Sequence, residues 1–307
     1  MSSPRAAAPV AVPDTPELLV AGSVALDTRD GPFGKIKDEL GGSAVYFALA
    51  ASLIVPVRVV APVGRDALDD LKRAFDGRPI DISMLAVIDA PTYRWTAHQE
   101  HGHNVDLGNT DGIYDRWEPQ IPDGFAGWGF VGSMRPDRQS EAMKRLHSAT
   151  LLAADAMLSY VRERTPEAKD VLKRAAWFFC NEDEFKALGG QEPEQFRRQW
   201  WLDGLVMKHG PHGVVAHTAD GAVRVPALTT HPAFDTTGAG DAVAGGMLAR
   251  WLSTGGQRSG LQDALVCGVA CASLTIESIG IRGIANVTAE LLEQRIAEVW
   301  ECVKRES

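Results

Sequence analysis

The sequence predicts an α/β fold with a central, mostly parallel sheet that is flanked by helices. Short apolar runs alternate along the chain with segments of helical character, a succession typical of βαβ units in a sheet covered on both faces. Two segments rich in polar and aromatic residues, 27–40 and 92–107, interrupt this alternation. We expect these two segments to pair as a small antiparallel accessory β sheet.

The predicted core strands are apolar runs bounded by turn residues. In chain order they are residues 18–25, 57–62, 128–132, 150–154, 177–180 and 205–208. A hairpin of residues 214–217 and 223–225 follows, because Asp220-Gly221 favours a tight turn.

The predicted helices lie between these strands and after the hairpin. In chain order they are residues 41–53, 67–75, 138–148, 165–174, 193–201, 240–252 and 261–277. Thr288 can cap a last helix with an apolar stripe. Residues 17–307 are therefore expected to form one domain, preceded by a disordered Ala- and Pro-rich tail at 1–16.

The composition limits the classes of partner. A net charge of -9 makes a nucleic-acid partner unfavourable, since the phosphate backbone is also negative. No apolar run approaches the roughly 20 residues that span a bilayer, so no membrane partner is expected. The four cysteines form no CxxC pair, which indicates a reducing, cytoplasmic setting.

The most informative segment is residues 235–246, DTTGAGDAVAGG, in which a Gly-rich turn runs directly into a helix. The amides of Gly238, Ala239 and Gly240 precede the helix's own hydrogen bonds and can hold an anion at its positive end. Asp241 is then placed to take a proton from a hydroxyl that attacks a phosphate. The alternative is that the glycines form a plain turn and Asp241 only stabilises the helix.

This segment resembles the C-terminal signature of the ribokinase/PfkB carbohydrate kinases. Three further segments match family motifs in the expected order, namely 41–44 (GGSA), 181–184 (NEDE) and 210–213 (GPHG). The resemblance implies a ribokinase-like fold with a small β lid, and transfer of a phosphoryl group from ATP to an alcohol of a sugar or sugar-like metabolite. Two alternatives stay open: a nucleoside kinase of the same fold, and a non-catalytic ligand sensor.

The resemblance also implies roles for single residues. Asp241 would be the general base, beside an anion hole formed by Gly238, Ala239 and Gly240. The residues implied at the nucleotide and its Mg²⁺ are Asn181, Glu184, Lys208, Gly210 and Gly213, with Glu184 nearest the metal. Asp235 and Thr237 match the part of the family that binds a monovalent cation, which leaves activation by K⁺ open.

The acceptor end is less complete in this chain. Asp27, Gly41 and Gly42 would hold substrate hydroxyls, but Tyr46 stands where the family usually has Asn. Arg94, in the predicted lid, and Asp155, at the end of a predicted core strand, are further substrate candidates. In the family such lids often pair between subunits, which implies a homodimer through the lid.

Overall fold

A nine-stranded sheet forms the centre of the computed structural model, which describes residues 17–32, 34–100 and 103–306. The expected tail at 1–16 lies outside these residues. The strands, in chain order from β1 to β13, are Leu18–Ala21, Ala25–Gly31, Gly34–Gly41, Val57–Gly64, Ile80–Ile88, Tyr93–Glu100, His103–Thr110, Trp128–Val131, Leu151–Asp155, Trp177–Asn181, Gly204–Lys208, Val214–Thr218 and Gly221–Val225. The helices, from α1 to α11, are Ser43–Ala51, Arg65–Phe75, Pro136–Arg145, Leu158–Glu163, Thr165–Arg174, Glu182–Ala187, Pro193–Gln199, Ala239–Ser253, Leu261–Ile276, Arg282–Ala285 and Ala289–Glu306.

The main sheet has the strand order β13-β12-β11-β10-β9-β8-β1-β4-β5. All pairs from β11 to β5 are parallel, and only the hairpin strands β12 and β13 pair antiparallel. Successive residues of a strand point to opposite faces, so the adjacent Phe178 and Phe179 belong to two separate apolar clusters. The prediction of a mostly parallel sheet covered on both faces is confirmed.

Most predicted elements are present, with shifted ends. The first strand stops at Ala21, four residues before its predicted end, and the chain then turns into β2. The edge strand β5 was not predicted, because its apolar residues show neither a buried run nor a clean alternation. The short helices α4, α6 and α10 were also missed, since each spans six residues or fewer.

The two interrupting segments form a separate four-stranded sheet with the order β3-β2-β6-β7. The segments were expected to pair antiparallel, but β2 and β6 run parallel. The reason lies in the main sheet, where β1 and β5 are parallel and each leads directly into one segment. Both segments therefore leave the main sheet at the same end and in the same direction.

Helix α8 is held in place by close contacts of its glycines. A side chain on Gly245 would lie 2.5 Å from the carbonyl oxygen of Phe47 in α1, and one on Gly246 would lie 2.7 Å from Cys271 in α9. Cys271 and Cys267 are small buried side chains at this contact, and neither is in a disulfide. The residues 258–276, with a mean hydropathy of 1.4, have the length and composition of a membrane span, but 67% of that stretch is buried in the protein. Such burial is typical of a core helix.

Candidate active site

The turn before α8 forms the floor of the site. Gly238 caps the helix in the left-handed conformation, with φ 76°, which glycine adopts without steric cost. The amide of Ala239 donates to the carbonyl oxygen of Thr236 at 3.3 Å, so this predicted anion-hole donor takes part in the turn itself. The amides at the start of a helix have no intrahelical acceptor, which leaves the Gly240 end of the turn suited to an anion.

Lys208, at the end of β11, reaches this turn. A β-carbon built on Gly240 would lie 2.9 Å from the Lys208 Nζ atom. The same ammonium group lies 4.0 Å from Asp155 Oδ2, at the end of β9. A positive charge and the helix start thus converge at the carboxyl ends of the strands, where parallel α/β sheets bind their ligands.

Asp241 lies in the first turn of α8, partly buried beside Lys208 and Glu184. Burial raises the pKa of Asp241 to about 6, against the opposing effect of Lys208. A carboxyl group with this pKa is ionised near neutral pH and still basic enough to accept a proton.

Three carboxyl groups surround the Lys208 ammonium. Burial raises the pKa values of Asp155 and Glu184 as well, and Lys208 opposes the shift in both. Burial lowers the pKa of Lys208, but Glu184, Asp155 and Asp241 outweigh it and the net shift is upward. Asp155 Oδ1 is buried and has no hydrogen-bond partner among the described residues.

Glu184 and Asn181 form a reciprocal capping box at the start of α6. The Asn181 side chain accepts from the Glu184 amide at 2.9 Å, and Glu184 Oε2 accepts from the Asn181 amide at 2.8 Å. The Glu184 side chain is therefore fixed in orientation, with only 6% of the residue exposed. The family match at 181–184 thus supplies a buried and oriented carboxylate.

Gly210 and Gly213 lie in the turn that follows Lys208. Both have positive φ, 54° and 88°, and a β-carbon on Gly213 would lie 2.1 Å from the carbonyl oxygen of Val225. Only glycine fits this turn. Gly210 is exposed and lies next to the strand end that carries Lys208.

The residues expected at the acceptor end are Asp27, the di-glycine segment and Tyr46, and the structure brings them together. A β-carbon on Gly41 would lie 2.3 Å from Asp27 Oδ2, and Gly42 has φ 104°. Gly41 therefore leaves room for the Asp27 carboxylate, and Gly42 leaves room for the Ser23 carbonyl oxygen, 2.4 Å from where its β-carbon would be. Burial raises the pKa of Asp27 to about 7, with Arg29 opposing the shift. The Tyr46 hydroxyl is buried without a hydrogen-bond partner among the described residues.

Asp235 and Thr237 lie in the loop before α8. Asp235 is 1% exposed, and its carboxylate accepts from the amides of Thr237 and Gly280. It also accepts from the guanidinium of Arg29, a residue of β2. Thr237 Oγ1 accepts from Asn104 of β7 at 3.1 Å, so the small sheet contacts this loop at two points.

The comparisons with known proteins agree with this geometry. Residues 29–287 match the model of the pfkB family carbohydrate kinases. The chain belongs to the pfkB family. It is a kinase, a transferase that moves a phosphoryl group from ATP to an alcohol group of its acceptor.

Two relatives and one solved structure illustrate where this pfkB kinase lies in the family. An ATP-dependent ribose-1-phosphate kinase of Halopiger xanaduensis is 28% identical over 265 residues, 83% of this chain and 87% of the relative. A cytidine kinase of Thermococcus kodakarensis is 28% identical over 247 residues, 76% of this chain and 87% of the relative. The nucleoside kinase of Burkholderia thailandensis in complex with inosine has a TM-score of 0.74 and 19% identity, covering 92% of this chain and 97% of that chain. The ribokinase-like fold is thereby confirmed.

Arg94 is not brought together with the other candidate residues of the pfkB kinase. Its neighbour in the strand, Trp95, is in register with Asp27, and successive side chains alternate between the faces of a sheet. Arg94 therefore lies on the opposite face, where it forms ion pairs with Asp38 and Asp66.

Sequence reasoning missed Arg29 and Asn104, which connect the small sheet to the loop before α8. Arg29 follows Asp27 by two residues, so the strand period alone places both side chains on one face. The sequence of segment 27–40 therefore indicated that Arg29 shares a face with Asp27. It gave no indication of the partner of Arg29, because Asp235 lies 206 residues away in the chain.

Proposed function

We propose that this kinase uses Asp241 as the general base in phosphoryl transfer from ATP to a hydroxyl of a ribose-containing acceptor. The observation that carries the proposal is the position of Asp241, beside the Gly238–Gly240 turn and the Lys208 ammonium, together with its pKa of about 6. In the reaction Asp241 takes the hydroxyl proton, the hydroxyl oxygen bonds to the γ-phosphorus, and the bond from phosphorus to ADP breaks. ADP leaves with the electron pair of that bond.

The chain's own groups would act mainly by positioning and electrostatics. The Lys208 ammonium and the amides around Gly240 would hold the transferring phosphoryl group, where negative charge accumulates. The turn of Gly210 and Gly213 would lie along the nucleotide. Asp27 would accept a hydrogen bond from a hydroxyl of the acceptor.

The carboxylate oxygens at this edge of the sheet fit a Mg²⁺ ion that is held mainly by the nucleotide. No group of three or more His, Cys, Asp or Glu side chains that could enclose a metal occurs within the described residues. Glu184 and the unpartnered Asp155 Oδ1 supply oxygens at the same edge, and Mg²⁺ typically uses one or two carboxylates, waters and substrate phosphates. When bound, the ion would neutralise phosphate charge, and Glu184 would orient its waters.

The acceptor is proposed from the relatives. The acceptors named for the two curated relatives, ribose 1-phosphate and cytidine, both contain ribose. Tyr46 occupies the position where the family usually has Asn, so the family's ribose, fructose or adenosine specificity does not carry over from that motif. The ribose-containing acceptor is proposed from the two relatives alone. A nucleoside acceptor stays the second candidate, because one relative is a cytidine kinase.

The small sheet is proposed as the lid of the acceptor site. The Arg29–Asp235 pair and the Asn104–Thr237 hydrogen bond hold it against the loop before α8. Closing the site would exclude water, which can itself accept a phosphoryl group. Leu107 is 63% exposed on the small sheet, which supports pairing of two lids in a homodimer. The molar mass of the parent and of Leu107→Asp in solution tests that pairing.

A coupled assay of ADP release over ribose 1-phosphate, free pentoses and nucleosides tests the proposed function. We expect turnover with ribose 1-phosphate or a nucleoside, and no turnover in the absence of Mg²⁺. A chain that binds these compounds but releases no ADP with any of them would instead be a ligand sensor.

A further inference from the structure

Arg29 places a guanidinium group at the position predicted for a monovalent cation. The side chain extends from β2 of the small sheet and is 1% exposed. Its Nη1 atom donates to Asp235 Oδ2 in a buried ion pair. Asp235 is the residue that matches the monovalent-cation part of the family.

The groups around Asp235 do not fit K⁺ as well. A carboxylate offers about four lone-pair positions. Here Oδ2 accepts from Arg29 and from the Gly280 amide at 2.8 Å, and Oδ1 accepts from the Thr237 amide at 3.1 Å. Potassium is bound by oxygen atoms, whereas these neighbours present N–H groups. A second positive charge beside the buried guanidinium would also be repelled.

We propose that the Arg29 guanidinium serves as a built-in monovalent cation, so that this chain works without K⁺. The guanidinium remains protonated at any pH at which the protein is folded. Burial lowers the pKa of Arg29, but Tyr46, Asp235 and Asp27 outweigh it and the net shift is upward. The charge is therefore always present, whereas K⁺ has to bind from solution.

The position of Asp235 gives this charge a function. Asp235 holds the Thr237 amide, and Thr237 is followed directly by the Gly238–Gly240 turn. The Arg29 guanidinium neutralises Asp235, so the buried carboxylate does not repel a phosphate bound at that turn. Because Arg29 belongs to the small sheet, its guanidinium reaches Asp235 only when that sheet lies against the loop before α8. The geometry thus couples lid position to the electrostatics of the phosphate site, a role that rests on the proposed function.

The first test compares salts and needs no acceptor. The thermal midpoint of the parent and of Arg29→Met is measured in about 0.1 M KCl, NaCl or choline chloride, which keeps the ionic screening equal. We expect the same midpoint in all three salts for the parent. Arg29→Met should melt lower in choline and recover by roughly 2–4 °C in KCl. Lys37→Met, which removes an exposed positive charge from the same sheet, should respond like the parent.

Turnover gives the second readout. The parent should have equal kcat in the three salts, and Arg29→Met should lose turnover in choline and regain it with K⁺ or with dilute guanidinium. A parent that melts higher or turns over faster specifically in K⁺ would overturn the proposal. So would an Arg29→Met variant that is indifferent to K⁺ in both readouts. If no ADP is released by any variant, the proposed function fails. The melting data still decide whether the Arg29 guanidinium takes the place of K⁺.

A double variant covers the case in which Arg29→Met does not fold. Arg29→Met with Asp235→Asn removes both charges, so it should fold and show no response to K⁺. A K⁺ response in this double variant would place the cation elsewhere and overturn the proposal. If the double variant also fails to fold, the salt comparison on the parent decides.

Discussion

The aromatic ring of Tyr46 lies directly against the backbone of Gly238. A β-carbon built on Gly238 would lie 2.2 Å from Tyr46 Cγ, far closer than van der Waals contact allows. The residue that departs from the family pattern therefore packs on Gly238, the first residue of the turn proposed to bind the phosphoryl group. Helix α1 and the start of α8 are joined at this contact, which connects the proposed acceptor and phosphate ends of the site.

Two glycines of the same turn should respond differently to alanine. Gly238→Ala should lower the free energy of unfolding by more than the ~1–2 kcal/mol of a left-handed alanine, because the Tyr46 ring is also in the way. Gly240→Ala meets only the end of the flexible Lys208 side chain, so it should keep its stability and lose turnover. Thermal melting and kcat, measured on both variants, check this contrast. Equal stability losses would contradict it.

Asp241→Asn should lower kcat by about 10²–10⁴-fold, the typical contribution of a positioned general base. The amide is nearly the same size as the carboxylate but cannot accept the proton, so the affinity for ATP should remain. Steady-state ADP release and ATP titration measure the two quantities. Asp203→Asn, which changes an exposed carboxyl group, is the matched control. Near-parental turnover in Asp241→Asn would remove Asp241 from the mechanism.

The pH dependence should show the pKa of the same residue. Asp241 acts as a base only when ionised, so kcat/KM should fall as the pH is lowered through about 6, by up to about tenfold per pH unit. Asp27 has a pKa of about 7 and provides the check. Asp27→Asn should turn over more slowly and still keep the decline near pH 6. A decline that disappears in Asp27→Asn would assign it to Asp27 instead.

Glu184→Gln should raise the concentration of Mg²⁺ needed for half-maximal turnover. The amide oxygen can still accept from the Asn181 amide, so α6 should keep its cap, but the negative charge near the metal is lost. A magnesium titration at saturating ATP measures the shift. Asp183→Asn, in the same helix and exposed, is the control. Superimposable titration curves would leave Glu184 as a helix cap alone.

Asn104→Ala should loosen the lid by removing its hydrogen bond to Thr237 Oγ1. Water then reaches the phosphoryl group more easily, so the ratio of ATP hydrolysis without acceptor to productive transfer should rise. Parallel measurement of ADP and phosphorylated acceptor gives that ratio. Val105→Ala, in the same strand and 47% exposed, should leave it unchanged. The lid assignment would be contradicted by an unchanged ratio in Asn104→Ala.

The sequence predicted the parts of the site that depend on local backbone geometry. The Gly238–Gly240 turn, the start of the helix that follows it and the motif at 181–184 each lie within a few residues, so motif and spacing were enough to find them. The alternation of apolar runs likewise predicted the mostly parallel sheet. The edge strand β5 and the short helices were not predicted, because their residues show little hydrophobic periodicity.

The tertiary structure decided which distant residues meet. The Arg29–Asp235 pair joins residues 206 positions apart, and the approach of Asp155, Lys208 and Asp241 depends on the order of β9, β11 and the start of α8. The parallel pairing of β2 with β6, and the outward position of Arg94, follow from where these strands leave the main sheet. Local sequence fixes conformation within a few residues, whereas contacts across the sheet depend on strand order and register, which no short motif encodes.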